Sequence, residues 1–196
     1  SMFPLHVYKN RRDRLKGMMP ENSLALISAA HETIRNRDSG YPFRQSSDFW
    51  YLTGFTEPDA VLIIGPGHPD RLFVRPKNTD QEVWTGRRLG PDCVNTDLGI
   101  DEGYPIDDLN SEFAALLADI TSIEYPFYCN NSAGIVDRLV KAEETKSRQE
   151  NRLSHRADLS RFLHQARLFK SKDEIDVMRE AGRISALGHV AAMQAC

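Results

Sequence analysis

The chain has 196 residues, 40% hydrophobic and 27% charged, which suits one globular domain of usual size with room for part of a second. Its 25 Lys and Arg against 28 Asp and Glu leave a formal net charge of -3, so no positive excess argues for a nucleic-acid partner. The unbroken apolar stretch at residues 60–64, like every other in the sequence, is far too short to span a bilayer, and no secretory leader is visible at the start.

Residues 7–18 carry Val7, Tyr8, Leu15 and Met18 among Arg and Lys, the pattern of an amphipathic helix with a basic outer face. Asp13 interrupts the basic run 9–16, so a solvated helix face is expected there and not a nucleic-acid helix. Residues 24–30 are apolar and read as a buried strand. Residues 49–53, 61–64 and 71–75 are three short β-type runs. Their connectors are rich in Gly and Pro and too short for a crossover helix, so adjacent antiparallel strands are expected.

Further along, Leu109, Phe113, Leu116, Leu117 and Ile120 mark a helix over 109–120. Residues 123–129 follow as a strand, and Ile135, Leu139 and Ala142 mark a helix over 135–146. The sum is an α/β fold, a mixed β-sheet flanked by helices. Residues 141–156 hold one large apolar side chain, Leu153, and read as a solvated helix end and loop.

Ser171 with Glu174 three positions on is a capping box, in which each side chain satisfies the other's free backbone N–H. The helix it opens carries Ile175, Met178, Ala181, Ile184, Leu187 and Ala191 as one apolar stripe. Burying each large side chain is worth roughly 1.5–3 kcal/mol, so the stripe is expected to pack on another copy of the chain or to fold back on its own domain. Cys93, Cys129 and Cys196 form no CxxC pair, which fits a reduced, cytoplasmic protein with idle thiols.

Three blocks carry a resemblance. The tract 41–55, Tyr-Pro-Phe-Arg-Gln-Ser-Ser-Asp-Phe-Trp-Tyr-Leu-Thr-Gly-Phe, closely resembles a run in the amino-terminal domain of Xaa-Pro aminopeptidases (aminopeptidase P). The block 82–90, Glu-Val-Trp-Thr-Gly-Arg-Arg-Leu-Gly, sits at a matching distance. The block 167–175, Arg-Leu-Phe-Lys-Ser-Lys-Asp-Glu-Ile, resembles the segment leading into that family's catalytic domain.

The resemblance implies a creatinase- and prolidase-like domain over residues 1–168. It also implies a linker and the first helix of a truncated "pita-bread" catalytic domain over 169–196. In the family that second domain holds two metal ions, usually manganese, on two Asp, one His and two Glu; they activate a water that attacks the bond before proline. No such ligand motif occurs here, and His6, His31, His68, His155, His164 and His189 are scattered. This piece is therefore expected to have no catalytic residue, to bind no metal and to be inactive alone. The whole protein is expected to be a cytoplasmic homo-oligomer acting on proline-containing peptides, with no membrane or nucleic-acid partner. A creatinase-like protein-binding module and the first domain of a prolidase are the alternatives.

Five residues are candidates for a substrate channel or an interface. Arg44 and Asp48 flank a polar turn beside Phe49-Trp50-Tyr51; they either shape a channel rim or fix the loop before a strand by an ion pair or backbone hydrogen bonds, and the architectural role is the favoured one. Trp84 lies among charges, between Asp80-Gln81-Glu82 and Gly86-Arg87-Arg88, as an interface or substrate wall requires, though packing on its own domain stays open. The resemblance adds that the matching tryptophan of oligomeric members reaches toward a neighbouring subunit's active site. Arg87 and Arg88 could bind carboxylates across such an interface, although exposed arginines usually contribute little.

Overall fold

The computed structural model describes residues 2–32, 43–146 and 155–195, with 189–195 as backbone alone. Helix α1 (Leu5–Met18) is followed by strand β1 (Ser23–Ser28), helix α2 (Ser47–Thr53), and strands β2 (Val61–Ile64) and β3 (Arg71–Val74). Helices α3 (Thr79–Thr85) and α4 (Val94–Leu98) precede strand β4 (Glu102–Pro105). Then come helix α5 (Leu109–Leu116), strand β5 (Ser122–Tyr125), helix α6 (Asn130–Lys146), strand β6 (His155–Asp158), and helices α7 (Ser160–Leu168) and α8 (Lys172–Ala195).

The strands form one sheet in the order β4-β3-β2-β1-β5-β6. β1 pairs antiparallel with β2 and parallel with β5, β2–β3 is an antiparallel hairpin, and β3–β4 and β5–β6 are parallel. The central strand β1 is buried along its whole length, as its unbroken apolar run requires of a strand covered on both faces. The period of two sorts its side chains. Ala25 and Ile27 join Leu62, Ile64, Leu72 and Val74 beneath α1, α2 and α7. Leu24 and Leu26 join Val61, Ile63 and Phe73 beneath α5 and α6. The expected mixed sheet flanked by helices is thus what the chain adopts.

Several local readings are corrected. Residues 49–53 are helix, not strand: Phe49, Leu52 and Thr53 are buried together on one face of α2, and Gly54 at φ 67° closes the turn with its N–H on Trp50 O. Packing on the core here overrides the β preference of an aromatic run. The strand expected over 123–129 stops at Tyr125, immediately before Pro126, which has no N–H for the ladder. Helices α3, α4 and α7 were not anticipated. The helix end expected from 141 is present, α6 running to Lys146, but His155 and Arg156 belong to β6 and not to the expected loop, while 147–154 lie outside the described residues.

The outer face of α1 is not uniformly basic, because Arg11 and Arg12 are buried. Arg12 has a relative exposure of 0%. It stands inside because each of its three nitrogens is bonded: Nε donates to Asp70 Oδ2 at 2.8 Å, Nη1 to Leu52 O at 2.9 Å and Nη2 to Gly99 O at 3.1 Å. Buried charge is tolerated only on such terms. The stripe of α8 does not fold back on its own domain, since Ile175, Met178, Ile184 and Leu187 are exposed.

Candidate functional site

Helix α3 carries the most exposed aromatic group of the described chain. Asn78 caps it, its Oδ1 accepting from Asp80 N at 3.1 Å and Gln81 N at 3.2 Å. None of its residues is buried, and Gly86 ends it at φ 91°. Trp84 is 88% exposed beside an equally open Val83. A short capped helix therefore presents apolar surface to the outside, so Trp84 does not pack into the core of its own domain.

The segment behind it is tightly held. Arg88 N donates to Glu82 Oε1 at 2.6 Å, Arg88 Nη2 to Gln81 Oε1 at 2.9 Å and Arg88 Nη1 to Pro76 O at 3.3 Å. Glu57 accepts from Leu89 N at 2.8 Å and from Arg75 Nη2 at 3.2 Å. Arg88 is thus a brace for the α3 platform, whereas Arg87 is exposed. Both line a cleft of about 540 Å³ with Lys77, Glu57, Phe55 and Asp97.

Arg44 and Asp48 do not pair. Asp48 is buried and binds Arg167 of α7, Nη2 to Oδ1 at 2.8 Å. Burial raises the Asp48 carboxyl above the ordinary aspartate range, and Arg167 offsets only part of that. Arg44 is exposed. The loop before α2 is fixed instead by Gln45, whose Oε1 accepts from Ala30 N at 2.8 Å and Ser46 N at 2.9 Å while its Nε2 donates to Glu57 O at 2.8 Å.

Tertiary structure also assembles a group that sequence reasoning missed. The guanidinium of Arg11 lies 4.2 Å from the ring centre of Tyr51 and 4.8 Å from that of Phe3. It donates from Nη1 to Tyr51 O at 2.9 Å and from Nε to Glu174 Oε1 at 2.6 Å. Arg167 sits over the same Tyr51 ring, at 5.1 Å. Tyr51, Arg167 and Glu174 all fall inside the recognised blocks, but nothing in their spacing pairs them with Arg11.

The resemblance implies two metal ions in the whole protein. Among the described residues no three His, Cys, Asp or Glu side chains come together so as to hold a metal ion. The described residues therefore do not fit that group. No described helix is long and apolar enough to cross a membrane.

A family model for the aminopeptidase P N-terminal domain matches residues 8–124. The chain belongs to that family. Its similarity to aminopeptidase P proteins extends past the model's limit. It is 37% identical to the Xaa-Pro aminopeptidase of Escherichia coli over 198 aligned residues, covering 96% of this chain and 44% of that protein. It is 36% identical to the Xaa-Pro aminopeptidase of Haemophilus influenzae, covering 97% and 43%. The structure of Pseudomonas aeruginosa aminopeptidase PepP superposes with a TM-score of 0.86 at 36% identity, over 99% of this chain and 45% of that one. Zn-substituted E. coli aminopeptidase P in complex with product gives the same TM-score at 36% identity, over 100% and 46%. The chain thus spans less than half the length of these aminopeptidase P relatives. The blocks at 41–55 and 82–90 lie inside the family model, and the block at 167–175 lies beyond it.

Proposed function

We propose that this chain is the non-catalytic first domain of a manganese-dependent, cytoplasmic Xaa-Pro aminopeptidase, which removes the amino-terminal residue preceding proline from peptides. Residues 1–168 form that domain, and 169–196 are the linker and first helix of a catalytic domain that carries both metal ions. The observation behind this reading is the extent of the likeness: nearly the whole chain aligns, at more than a third identity, with less than half of Xaa-Pro aminopeptidases.

The domain's contribution is to assembly and substrate access. Trp84 supports this, because a large aromatic side chain held out on a capped helix gains its stabilisation only when another surface covers it. The favoured covering surface is a second copy of the protein, with Arg87 at the rim of the same contact. Asp48 is a brace for α7 in this scheme, and Arg88 for α3.

The experiment compares this chain with the full-length product of its gene on peptides with proline second, with added manganese. Turnover by the full-length protein and none by the chain is expected. An inactive full-length protein, or turnover that stays with the chain through purification, overturns the reading. Full-length protein active only on dipeptides would assign the domain to a prolidase instead.

A further inference from the structure

Helix α8 is held to the rest of the protein at its beginning. From Lys172 to Gly188 the only buried side chain is Glu174, with Val177 half-buried against the Phe3 and Tyr8 cluster. Residues 178–188 run through solvent, so what fixes the direction of this described length acts in the first two turns.

There, Glu174 does two jobs at once. Its Oε2 accepts from Ser171 N at 2.7 Å while Ser171 Oγ accepts from Glu174 N at 3.2 Å, the expected capping box. Its Oε1 binds the Nε and Nη2 of Arg11. Arg11 itself packs against the rings of Phe3 and Tyr51 and is bonded to Tyr51 O. A planar guanidinium anchored on both sides defines an orientation as well as a distance, which a lysine ammonium cannot do.

The neighbouring contacts reinforce it. His6 Nε2 lies 2.5 Å from Asp173 Oδ2, Arg14 lies over Phe169 at 3.3 Å, and Tyr51 OH donates to Ala166 O at 3.2 Å. Burial alone would raise the Glu174 carboxyl; the Ser171 N–H and Arg11 outweigh it and hold it below the ordinary glutamate range. Of these contacts, the Arg11–Glu174 pair is the one in which both side chains are buried.

We infer that Arg11 and Glu174 form a positioning joint that sets the direction in which helix α8 leaves the domain. The joint connects residues 163 apart in sequence. It is independent of the reaction proposed above, because it concerns only how two parts of this chain are held.

Residual dipolar couplings of backbone amides in the 196-residue chain test it directly. In the unaltered chain, couplings from 172–188 should fit the alignment tensor of the β-sheet. In Glu174→Gln, which keeps a capping side chain but removes the buried charge pair, the α8 couplings should shrink by roughly twofold or more as the helix swings, while the sheet's are unchanged. Arg11→Met should do the same with Ser171 and Glu174 intact, and Ser171→Ala should do so less. Unchanged α8 couplings in Glu174→Gln overturn the inference. So do α8 couplings that already average toward zero in the unaltered chain. Should Arg11→Met fail to fold, Glu174→Gln decides alone.

Discussion

The guanidinium of Arg12 meets the carboxylate of Asp70 at 2.8 Å with both side chains shut away from water, 0% and 3% exposed. Lys16 Nζ reaches the other oxygen of Asp70 at 2.7 Å, and Asp70 N donates to Asp101 Oδ2 at 2.7 Å. Helix α1, the β2–β3 turn and the α4–β4 turn are thereby joined at one point. Without Arg12, Asp70 keeps Lys16 as its cation but loses the bond to its Oδ2, and Leu52 O and Gly99 O lose their donor, so Arg12→Ala should destabilise the chain by about 3 kcal/mol. Urea unfolding followed by circular dichroism measures this; a loss no larger than that of an exposed arginine would show the pair to be incidental.

Gly54 closes α2 in the left-handed region, and a Cβ placed there would sit 2.7 Å from Tyr8 Cζ, a ring with no exposure. Gly54→Ala combines backbone strain with overpacking, and a loss of about 1–3 kcal/mol is expected. Tyr8→Leu should recover part of it by clearing the space. Additive losses in the double variant would refute the steric account.

Glu124 gives the chain a pH dependence of known sign. Its side chain is 1% exposed, Arg161 Nη2 donates to Oε1 at 2.8 Å, and Oε2 has no hydrogen-bond partner among the described residues. Burial raises its carboxyl above the ordinary glutamate value, with Arg161 opposing. Between the ordinary and the raised value the folded state binds more protons than the unfolded one, so stability falls as pH rises through that window. Glu124→Gln should therefore gain stability relative to the unaltered chain as pH rises from acid to neutral. A stability difference that does not vary with pH would count against it.

Trp84→Ala should leave the folding free energy of this chain within about 0.5 kcal/mol, since a residue this exposed has little to lose. In the full-length protein the same change should lower the assembled fraction in sedimentation, or the turnover of proline-containing peptides. Unchanged assembly and turnover would remove Trp84 from the proposed interface.

Much of the fold was legible because it rests on which residues avoid water. Residues 24–27 and 61–64 announce strands by their unbroken apolar runs, and Ser171 and Glu174 announce a helix start by a bond pattern that spans three positions. The family was legible from three ordered blocks, and the exposure of Trp84 from its charged flanks.

The candidate site was legible only in part, because the rest depends on distant partners. Asp48 finds Arg167, Arg12 finds Asp70 and Arg11 finds Glu174 across 119, 58 and 163 residues respectively, the first being the difference of the two residue numbers. Periodicity marks a charged side chain as outward, since burial of an unpaired charge costs far more than any helix face can return. Only the assembled structure supplies the opposite charge, the carbonyls and the rings that reverse that sign. The same holds for residues 49–53, whose aromatic run favours a strand until the core they pack against decides for a helix.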